Sequence, residues 1–330
     1  MKNIPFLLKP AGKDYLWGGT RLRDDFSKDI DITPFAEAWE CSTHPDGPSV
    51  VASGINQGKI LTDVLKDHPE YLGTHPATTL GGIPILVKFI DAKQNLSVQV
   101  HPSDEYAESH ENGQLGKTEM WYVIDALPGS QLIYGLHRDI TKEQLRKYAE
   151  NGSIEKYLNR VDIKKNDVFY ITPGTVHAIG AGALIVEIQE SSNLTYRLYD
   201  YNRIDKNGKK RTLHIDKAME VANLHASDIP RQPMRVLQYK PGYASELLRR
   251  CKYFQVERLI INTERLREMY CFHTESNSFE VLICFDGCGE LLDEEGNNRL
   301  DFFKGDTIFI PADSVNLKIH GKAQFLKVNC

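Results

Sequence analysis

Three features are scarce in this sequence of 330 residues: an excess of one charge sign, cysteine, and long apolar runs. Forty lysines and arginines stand against 45 aspartates and glutamates, which gives a formal net charge of −5. A general nucleic-acid-binding protein would carry a strongly basic surface, so no nucleic-acid partner is expected. A near-balanced total charge still leaves room for a local basic pocket that binds one small anion.

The six cysteines are spread thinly along the chain, and no second Cys/His pair completes a zinc site around Cys284 and Cys288. Sparse cysteines favour a reducing cytoplasm over secretion. The apolar run before Lys9 is too short for a signal peptide or a membrane span. We therefore expect a cytoplasmic globular protein without a membrane partner, and the sequence makes no prediction of its oligomeric state.

Most of the chain alternates apolar and polar residues with a period of two, which predicts half-buried strands. Many short strands separated by Gly and Pro predict a mainly β protein of two β-barrel domains with helical insertions. Helices are predicted at about 61–72, 141–158 and 215–222, and Thr141 and Gln144 form a capping box in the second. A Pro- and Gly-containing stretch between Ala226 and Ala244 predicts a linker, so the expected domains are 1–235 and 240–330.

A weak internal repeat supports two copies of one β unit. EMWYVID (119–125) is echoed by EVLICFD (280–286), and DVFYITPGTVH (167–177) is echoed later by DTIFIPADSVN (306–316). The two pairs occur in the same order in each half. The second copy has Asn316 near the position where the first copy has His177, so we expect the C-terminal domain to be metal-free.

Three segments carry a set of residues that can ligate metal. In LSVQVHPSDEYA (96–107), Ser97, Gln99 and His101 share one strand face, because side chains alternate along a strand. GKTEMWY then supplies Glu119, and TPGTVHAIGAG places His177 just after a strand. Two imidazoles and one carboxylate form a common zinc-ligand set, and an amide oxygen can be the fourth ligand. Such a mixed nitrogen and oxygen set accepts other divalent metals as well.

Basic side chains occur in the same segments. Lys88 lies within an apolar run on the preceding strand, Lys117 is two residues from Glu119, and Arg197 lies in EIQESSNLTYRLYDY. Three cations that converge on a metal pocket indicate an anionic substrate such as a phosphate. In the last segment Glu187 and Arg197 can meet only if the chain reverses between them.

At these residues the sequence resembles the zinc-dependent class I mannose-6-phosphate isomerases, in their short bacterial form, within the cupin superfamily. The resemblance is carried by FLLKP…YLWGG, ILVKFIDAKQNLSVQVHPSD, GKTEMWYVIDA, TPGTVHAIG and YRLYDYNR, and it weakens over the C-terminal third. It implies a fold of two cupin-like β-barrel (jelly-roll) domains with a small helical part.

The resemblance also implies roles for individual residues. It makes Gln99, His101, Glu119 and His177 the ligands of one divalent metal, with Zn²⁺ as the expected ion. It makes Arg197 essential for catalysis and Glu187 a carboxylate of the pocket. Ser97, Lys88 and Lys117 match positions that line the sugar-phosphate pocket, where we expect Ser97 and the lysines to hold the phosphate.

The activity implied is the interconversion of mannose 6-phosphate and fructose 6-phosphate, by proton transfer between C2 and C1 through an enediol or enediolate. Glu187, Lys117 or a metal-bound water remain open as the base. Two other interpretations are a sugar-phosphate-binding regulator without catalysis and a cupin oxygenase that uses Fe(II). The oxygenase leaves the basic residues unexplained, and the regulator would be expected to lack Arg197 or a metal ligand.

Overall fold

The computed structural model describes residues 3–75, 82–205, 208–266 and 269–330. The fold is mainly β, as predicted. The strands are β1 (Phe6–Lys9), β2 (Ala11–Lys13), β3 (Glu37–Cys41), β4 (Val50–Val51), β5 (Ile85–Asp91), β6 (Val98–Val100), β7 (Glu119–Ala126), β8 (Gln131–Leu136), β9 (Leu158–Asp162), β10 (Val168–Ile171), β11 (His177–Ile179), β12 (Ala183–Glu190), β13 (Tyr196–Tyr199), β14 (Gln238–Lys240), β15 (Tyr243–Arg250), β16 (Gln255–Asn262), β17 (Tyr270–Phe272), β18 (Glu280–Asp293), β19 (Arg299–Phe303), β20 (Thr307–Ile310) and β21 (Leu317–Asn329). The α-helices are α1 (Arg21–Asp24), α2 (Leu61–Asp67), α3 (Asp104–His110), α4 (Lys142–Asn151) and α5 (Ile215–Val221).

The strands form three antiparallel sheets. A six-stranded sheet has the order β10-β7-β12-β5-β3-β2, and a five-stranded sheet has the order β13-β6-β11-β8-β9. The third sheet follows the order β14-β15-β16-β21-β18-β20-β1-β4, with β17 paired to β21 and β19 paired to β18. The third sheet therefore combines C-terminal strands with β1 and β4 from the start of the chain.

The six-stranded sheet is the middle layer of the molecule. One of its faces packs on the five-stranded sheet through a core that includes Trp121 and Ile185 from one sheet and Leu132 and Ile179 from the other. Its opposite face packs on the third sheet and α2. The outer face of the five-stranded sheet is covered by α4 and α5. Strands β5, β7 and β12 are buried on both faces, and this is why their sequences are nearly continuous apolar runs.

The internal repeat is visible in the strand pairing. Glu119 lies opposite Ile171 across β7 and β10, and Glu280 lies opposite Ile310 across β18 and β20. The two sequence pairs thus form the same antiparallel arrangement in each half. In the second copy, however, Glu280 has Lys327 Nζ at 3.6 Å from its carboxylate.

The predicted helices are present. The 61–72 segment is α2 followed by a 3₁₀ helix at Pro69–Leu72, and the 141–158 segment is α4 followed by a 3₁₀ helix at Ser153–Tyr157. The capping box at Thr141 is confirmed. Helices α1 and α3 were not predicted, although the Ser103 Oγ atom that accepts from Tyr106 N is a typical N-cap. Within the described residues, no helix is long and apolar enough to cross a membrane.

The predicted linker is only partly irregular. Residues 227–237 lie outside helices and strands, but 238–240 form β14 and β15 begins at Tyr243, within the stretch that we expected to be linker. The proline-based interpretation was wrong there because Pro241 and Gly242 form the turn between two paired strands. A buried Lys28–Glu40 ion pair, with the Thr307 hydroxyl donating to Glu40 at 2.8 Å, joins the middle and third sheets.

Candidate metal centre and adjoining pocket

The candidate site lies between the five- and six-stranded sheets, on their facing sides. Val98 and Val100 point to the helical layer, so Ser97, Gln99 and His101 face the other way, as the period of two predicted. His177 lies directly opposite Gln99 across β11 and β6, and Arg197 lies opposite Gln99 across β13 and β6. The local pairing of three short strands therefore brings together three segments that are far apart in sequence.

The six-stranded sheet supplies the opposite wall. Glu187 lies in register with Lys88 on β5 and with Trp121 on β7, and Gln189 lies in register with Glu119. Met120, Tyr122 and their neighbours fill the core on the other face of this sheet. Alternation along β5, β7 and β12 therefore turns Lys88, Glu119 and Glu187 towards the five-stranded sheet.

His101, Glu119 and His177 form a cluster that can hold a metal ion. One ligand atom from each lies within 4.8 Å of the others. His177 Nε2 is 3.3 Å from Glu119 Oε1, and His101 Nε2 is 3.5 Å from Glu119 Oε2. All three side chains are almost completely buried.

Backbone carbonyls fix how each imidazole is oriented. His101 Nδ1 donates to the Leu194 carbonyl at 2.7 Å, and His177 Nδ1 donates to the Thr175 carbonyl at 2.8 Å. Burial lowers the pKa of His177 to about 4 and lowers that of His101 well below its usual value, with Lys117 lowering both further. Both rings are therefore neutral, and each Nε2 lone pair points into the cluster.

The donor set fits a divalent cation. Both Glu119 carboxylate oxygens are buried and accept no well-directed hydrogen bond from the described protein atoms. Burial raises the pKa of Glu119 to about 7, although Lys117 opposes this shift. A buried carboxylate and two neutral imidazoles leave negative charge and lone pairs that a cation would satisfy. Gln99 Nε2 is 3.4 Å from His177 Nε2, and a flip of this amide would place Oε1 at the same point.

Two buried lysines and one carboxylate adjoin the cluster. Lys117 Nζ is 2.8 Å from Glu119 Oε2 and 3.2 Å from His101 Nε2. Glu187 Oε1 is 3.1 Å from Lys88 Nζ and 3.7 Å from Lys117 Nζ, and Trp121 Nε1 donates to Glu187 Oε2 at 3.0 Å. Although burial alone would raise the pKa of Glu187, the two lysines lower it to about 2. Glu187 is therefore ionised at neutral pH.

A cavity of about 440 Å³ opens above these groups. Its walls include Lys88, Lys117, Glu187, Ser97 and Arg197. Cavities of this size take small organic ligands. Cationic side chains outnumber carboxylates on the cavity wall, which suits a polar, negatively charged ligand.

Arg197 and Ser97 contact each other at the wall of this cavity. Arg197 Nε donates to Ser97 Oγ at 3.2 Å, and its Nη1 donates to the Thr212 carbonyl at 2.8 Å. Burial and the neighbouring Arg211 lower the pKa of Arg197 to about 10, so the guanidinium stays charged at neutral pH. The structure thus brings the residues of the predicted site together. Six of them line the cavity (Lys88, Ser97, Gln99, Lys117, Glu187 and Arg197), and the other three form the buried cluster behind it (His101, Glu119 and His177).

Several residues of this cavity were not found by sequence reasoning. Besides aromatic Tyr15 and Trp17, its walls include Arg211, His214 and Lys217. The basic run KKRTLHIDK (209–217) was a signal for the last three. It was missed because nothing in the sequence shows that this segment folds back on β13, where His214 N donates to the Arg197 carbonyl at 2.8 Å.

Comparison with known families and proteins gives a consistent result. Residues 6–156 match the family model of the phosphomannose isomerase type I catalytic domain. The mannose-6-phosphate isomerase ManA of Bacillus subtilis is 37% identical over 324 residues, which cover 98% of each chain. The probable mannose-6-phosphate isomerase GmuF of the same organism is 47% identical over 229 residues, covering 69% of this chain and 71% of the relative.

Solved structures give the same comparison in three dimensions. The crystal structure of the mannose 6-phosphate isomerase from Bacillus subtilis superposes with a TM-score of 0.88 at 34% identity and covers 99% of both chains. Phosphomannose isomerase from Salmonella typhimurium superposes with a TM-score of 0.76 at 15% identity, and this likeness shows the fold alone.

Proposed function

Since this chain belongs to the type I phosphomannose isomerase family, we propose that it is a mannose-6-phosphate isomerase. It interconverts mannose 6-phosphate and fructose 6-phosphate by moving a proton between C2 and C1 through an enediol or enediolate. The observation that carries the proposal is the buried His101–Glu119–His177 cluster, which lies directly behind a cavity whose wall carries the charged Arg197 and the Lys117 and Gln99 side chains that contact the cluster. The proposed division is a part at 1–235 that carries this site and a companion β domain at 240–330, whose sheet is extended by β1 and β4 from the first part.

The proposed cofactor is one Zn²⁺ ion held by His101, Glu119 and His177, with Gln99 as a further ligand through its amide oxygen. Two imidazoles and a carboxylate are a usual set for catalytic zinc, and both rings carry the backbone hydrogen bonds that orient such ligands. When bound, the ion supplies positive charge that polarises the oxygens at C1 and C2.

Arg197 is proposed to stabilise the negative charge that develops on the sugar oxygen as the enediolate forms. Its guanidinium is partly buried and is held by Ser97 Oγ and the Thr212 carbonyl. A donor fixed in advance stabilises a transition-state charge without having to reorganise during the reaction. Ser97 is proposed to orient Arg197 and to contact the substrate from the same wall.

Glu187 and Lys117 are proposed as the groups that handle the proton. Glu187 is already ionised, so it can accept the C2 proton and return it to C1, although the two lysines that keep it ionised also lower its strength as a base. The side-chain nitrogen of Lys117 lines the cavity and can donate a hydrogen bond to the sugar oxygen. Lys88, 3.1 Å from Glu187, holds the carboxylate in place.

The cytoplasm is the proposed compartment, because all six cysteines are free thiols. Of the two other interpretations, neither is favoured. A regulator without catalysis would need no charged arginine held against the cavity beside a buried lysine–glutamate network. An Fe(II) oxygenase would have no use for the cations that line the cavity.

A coupled assay tests the function directly. Purified protein is mixed with mannose 6-phosphate, and fructose 6-phosphate is measured through glucose-6-phosphate isomerase and glucose-6-phosphate dehydrogenase. We expect turnover with saturation in mannose 6-phosphate. No turnover by folded, zinc-loaded protein would reject the proposed function.

A further inference from the structure

The cavity has two chemically different ends. At the inner end Lys88 and Lys117 are paired with Glu37, Glu119 and Glu187, so carboxylates outnumber ammonium groups. Lys117 is within 3.2 Å of a histidine of the metal cluster. Both lysines therefore lie beside the groups that act on C1 and C2. The phosphate of the substrate is attached to C6, at the far end of the carbon chain.

This placement changes the expectation that Lys88 and Lys117 hold the phosphate. A phosphate dianion needs a cation that still has hydrogen-bond donors to offer and that lies in a region with more cations than carboxylates. At the inner end each of the two ammonium groups lies near two carboxylates, and the reacting carbons would occupy that space. This favours a phosphate position elsewhere on the cavity wall.

Basic side chains gather on another part of the cavity wall, which is formed by β13 and residues 211–217. Arg203 and Arg211 both form ion pairs with the carboxylate of Asp200, and the same carboxylate opposes the lowering of the pKa of the nearby Arg197. Three guanidinium groups therefore gather around Asp200. Arg197 and Arg211 line the cavity, whereas Arg203 does not. Lys217 also lines it, but its ammonium is paired with Glu111 at 2.5 Å.

Arg211 is held so that one edge of its guanidinium is fixed and the other is available. Its Nε donates to Asp200 Oδ2 at 2.8 Å and its Nη2 donates to Asp200 Oδ1 at 2.5 Å. Asp200 is itself almost completely buried and also accepts from Arg203. Nη1 of Arg211 has no hydrogen-bond acceptor among the residues described. Two parallel hydrogen bonds to one buried carboxylate hold the plane of the guanidinium group fixed before a ligand binds.

The segment that carries Arg211 is hydrogen-bonded to β13, the strand that carries Arg197. Thr212 accepts a hydrogen bond from the Arg197 side chain, and His214 exchanges two hydrogen bonds with the Arg197 backbone. Arg211 is thus placed next to Arg197 on the wall of the cavity, whereas Lys117 contacts the metal cluster itself. An arginine at this position can bind an anion while the sugar reaches the inner end.

We propose that Arg211, oriented by Asp200, recognises the phosphate group of the substrate and makes the enzyme selective for phosphorylated sugars. This inference depends on the proposed isomerase function. It assigns Lys88 and Lys117 to the C1–C2 end of the sugar. The binding energy of the phosphate then positions C2 beside Glu187.

The test is Arg211→Gln compared with wild type and with Lys210→Gln. Lys210 is the adjacent residue, and its side chain is exposed and outside the cavity, so its substitution removes the same charge without touching the site. We expect Arg211→Gln to raise KM for mannose 6-phosphate by about 10- to 100-fold with a much smaller change in kcat. We also expect weaker competitive inhibition by inorganic phosphate, whereas Lys210→Gln behaves as wild type.

Several outcomes overturn the inference. They are an unchanged KM in Arg211→Gln, an equal KM rise in Lys210→Gln, and inhibition by inorganic phosphate that is insensitive to Arg211. If wild type fails to turn over mannose 6-phosphate, the proposed function itself is rejected instead. If Arg211→Gln does not fold, Arg211→Lys takes its place. It keeps the charge but loses the planar fork, so KM should rise several-fold, and an unchanged KM overturns the inference.

Discussion

Gln99 and His177 lie directly opposite each other on β6 and β11, with Gln99 Nε2 3.4 Å from His177 Nε2. The pairing places an amide at the edge of the His101–Glu119–His177 cluster. Gln99 can therefore complete a metal site whose three other donors are already oriented by buried neighbours. In the proposed metal site His177 is one of the three main donors and Gln99 an additional one.

We expect His177→Ala to abolish stoichiometric metal binding and Gln99→Ala to weaken metal affinity by about 10- to 100-fold. Metal content by inductively coupled plasma mass spectrometry, with zinc competition by a chromophoric chelator, measures both. His137→Ala is the control, because this exposed histidine is outside the cluster and its ring contacts the Lys156 carbonyl and Tyr157. Full metal content in His177→Ala would rule out the assigned cluster.

Arg197 is expected to act on the transition state. Arg197→Ala should lower kcat by about 10²- to 10³-fold, with a smaller change in KM, because the lost interaction forms as charge develops. Steady-state kinetics in both reaction directions measure the split. Arg146→Ala, on the exposed face of α4, serves as a control for loss of one arginine. An effect confined to KM would assign Arg197 to ground-state binding.

Glu187 is expected to transfer the proton at C2. Glu187→Gln keeps the size of the side chain and an acceptor for Trp121 Nε1, but it removes the carboxylate that accepts the proton. Exchange of the C2 hydrogen of mannose 6-phosphate with deuterium oxide, followed by NMR, should become undetectable while substrate still binds. Wild-type exchange in this variant, together with its loss in Lys117→Met, would transfer the role to Lys117.

A carboxyl pair away from the cluster predicts how stability depends on pH. Burial and the nearby Asp104 raise the pKa of Glu190 from its ordinary value of 4.5 to about 8, and Glu190 hydrogen-bonds Asp104. Because the folded-state pKa is raised, the stabilisation is full below about pH 4.5 and is lost as pH rises through about 8. Tyr253 and Lys252, which lie between β15 and β16, also bond Asp104.

Glu190→Gln supplies an uncharged donor to Asp104 at every pH. The Tm of wild type relative to this variant should therefore fall between pH 5 and pH 8.5. Differential scanning calorimetry in buffers of constant ionic strength measures the difference. A difference that stays constant over this range, or that grows with pH, would contradict the assigned protonation of Glu190.

Much of the site could be predicted from sequence because its residues lie in short motifs with a strand period. Alternation alone indicated that Ser97, Gln99 and His101 share a face. The repeat indicated that Glu119 and Glu280 hold equivalent positions, which the strand pairing bears out. These inferences needed only local geometry, which the period of a strand determines.

The remaining features depend on contacts between distant segments. Arg211 reaches the cavity only because residues 211–214 fold back on β13, and no local pattern encodes that contact. The pairing of Lys88 and Lys117 with carboxylates likewise depends on the register of β5, β7 and β12. Strands β14 and β15 were partly assigned to a linker because proline and glycine are common both in linkers and in tight turns, and Pro241 and Gly242 form a turn between two paired strands.

Removal of metal tests the central claim most directly. The protein is stripped with a chelator, dialysed, and assayed for conversion of mannose 6-phosphate to fructose 6-phosphate before and after addition of one equivalent of Zn²⁺, with circular dichroism as a check on folding. We predict that the stripped, folded protein is inactive and that zinc restores turnover in wild type but not in His177→Ala. Full activity in protein shown to be free of metal would contradict the account.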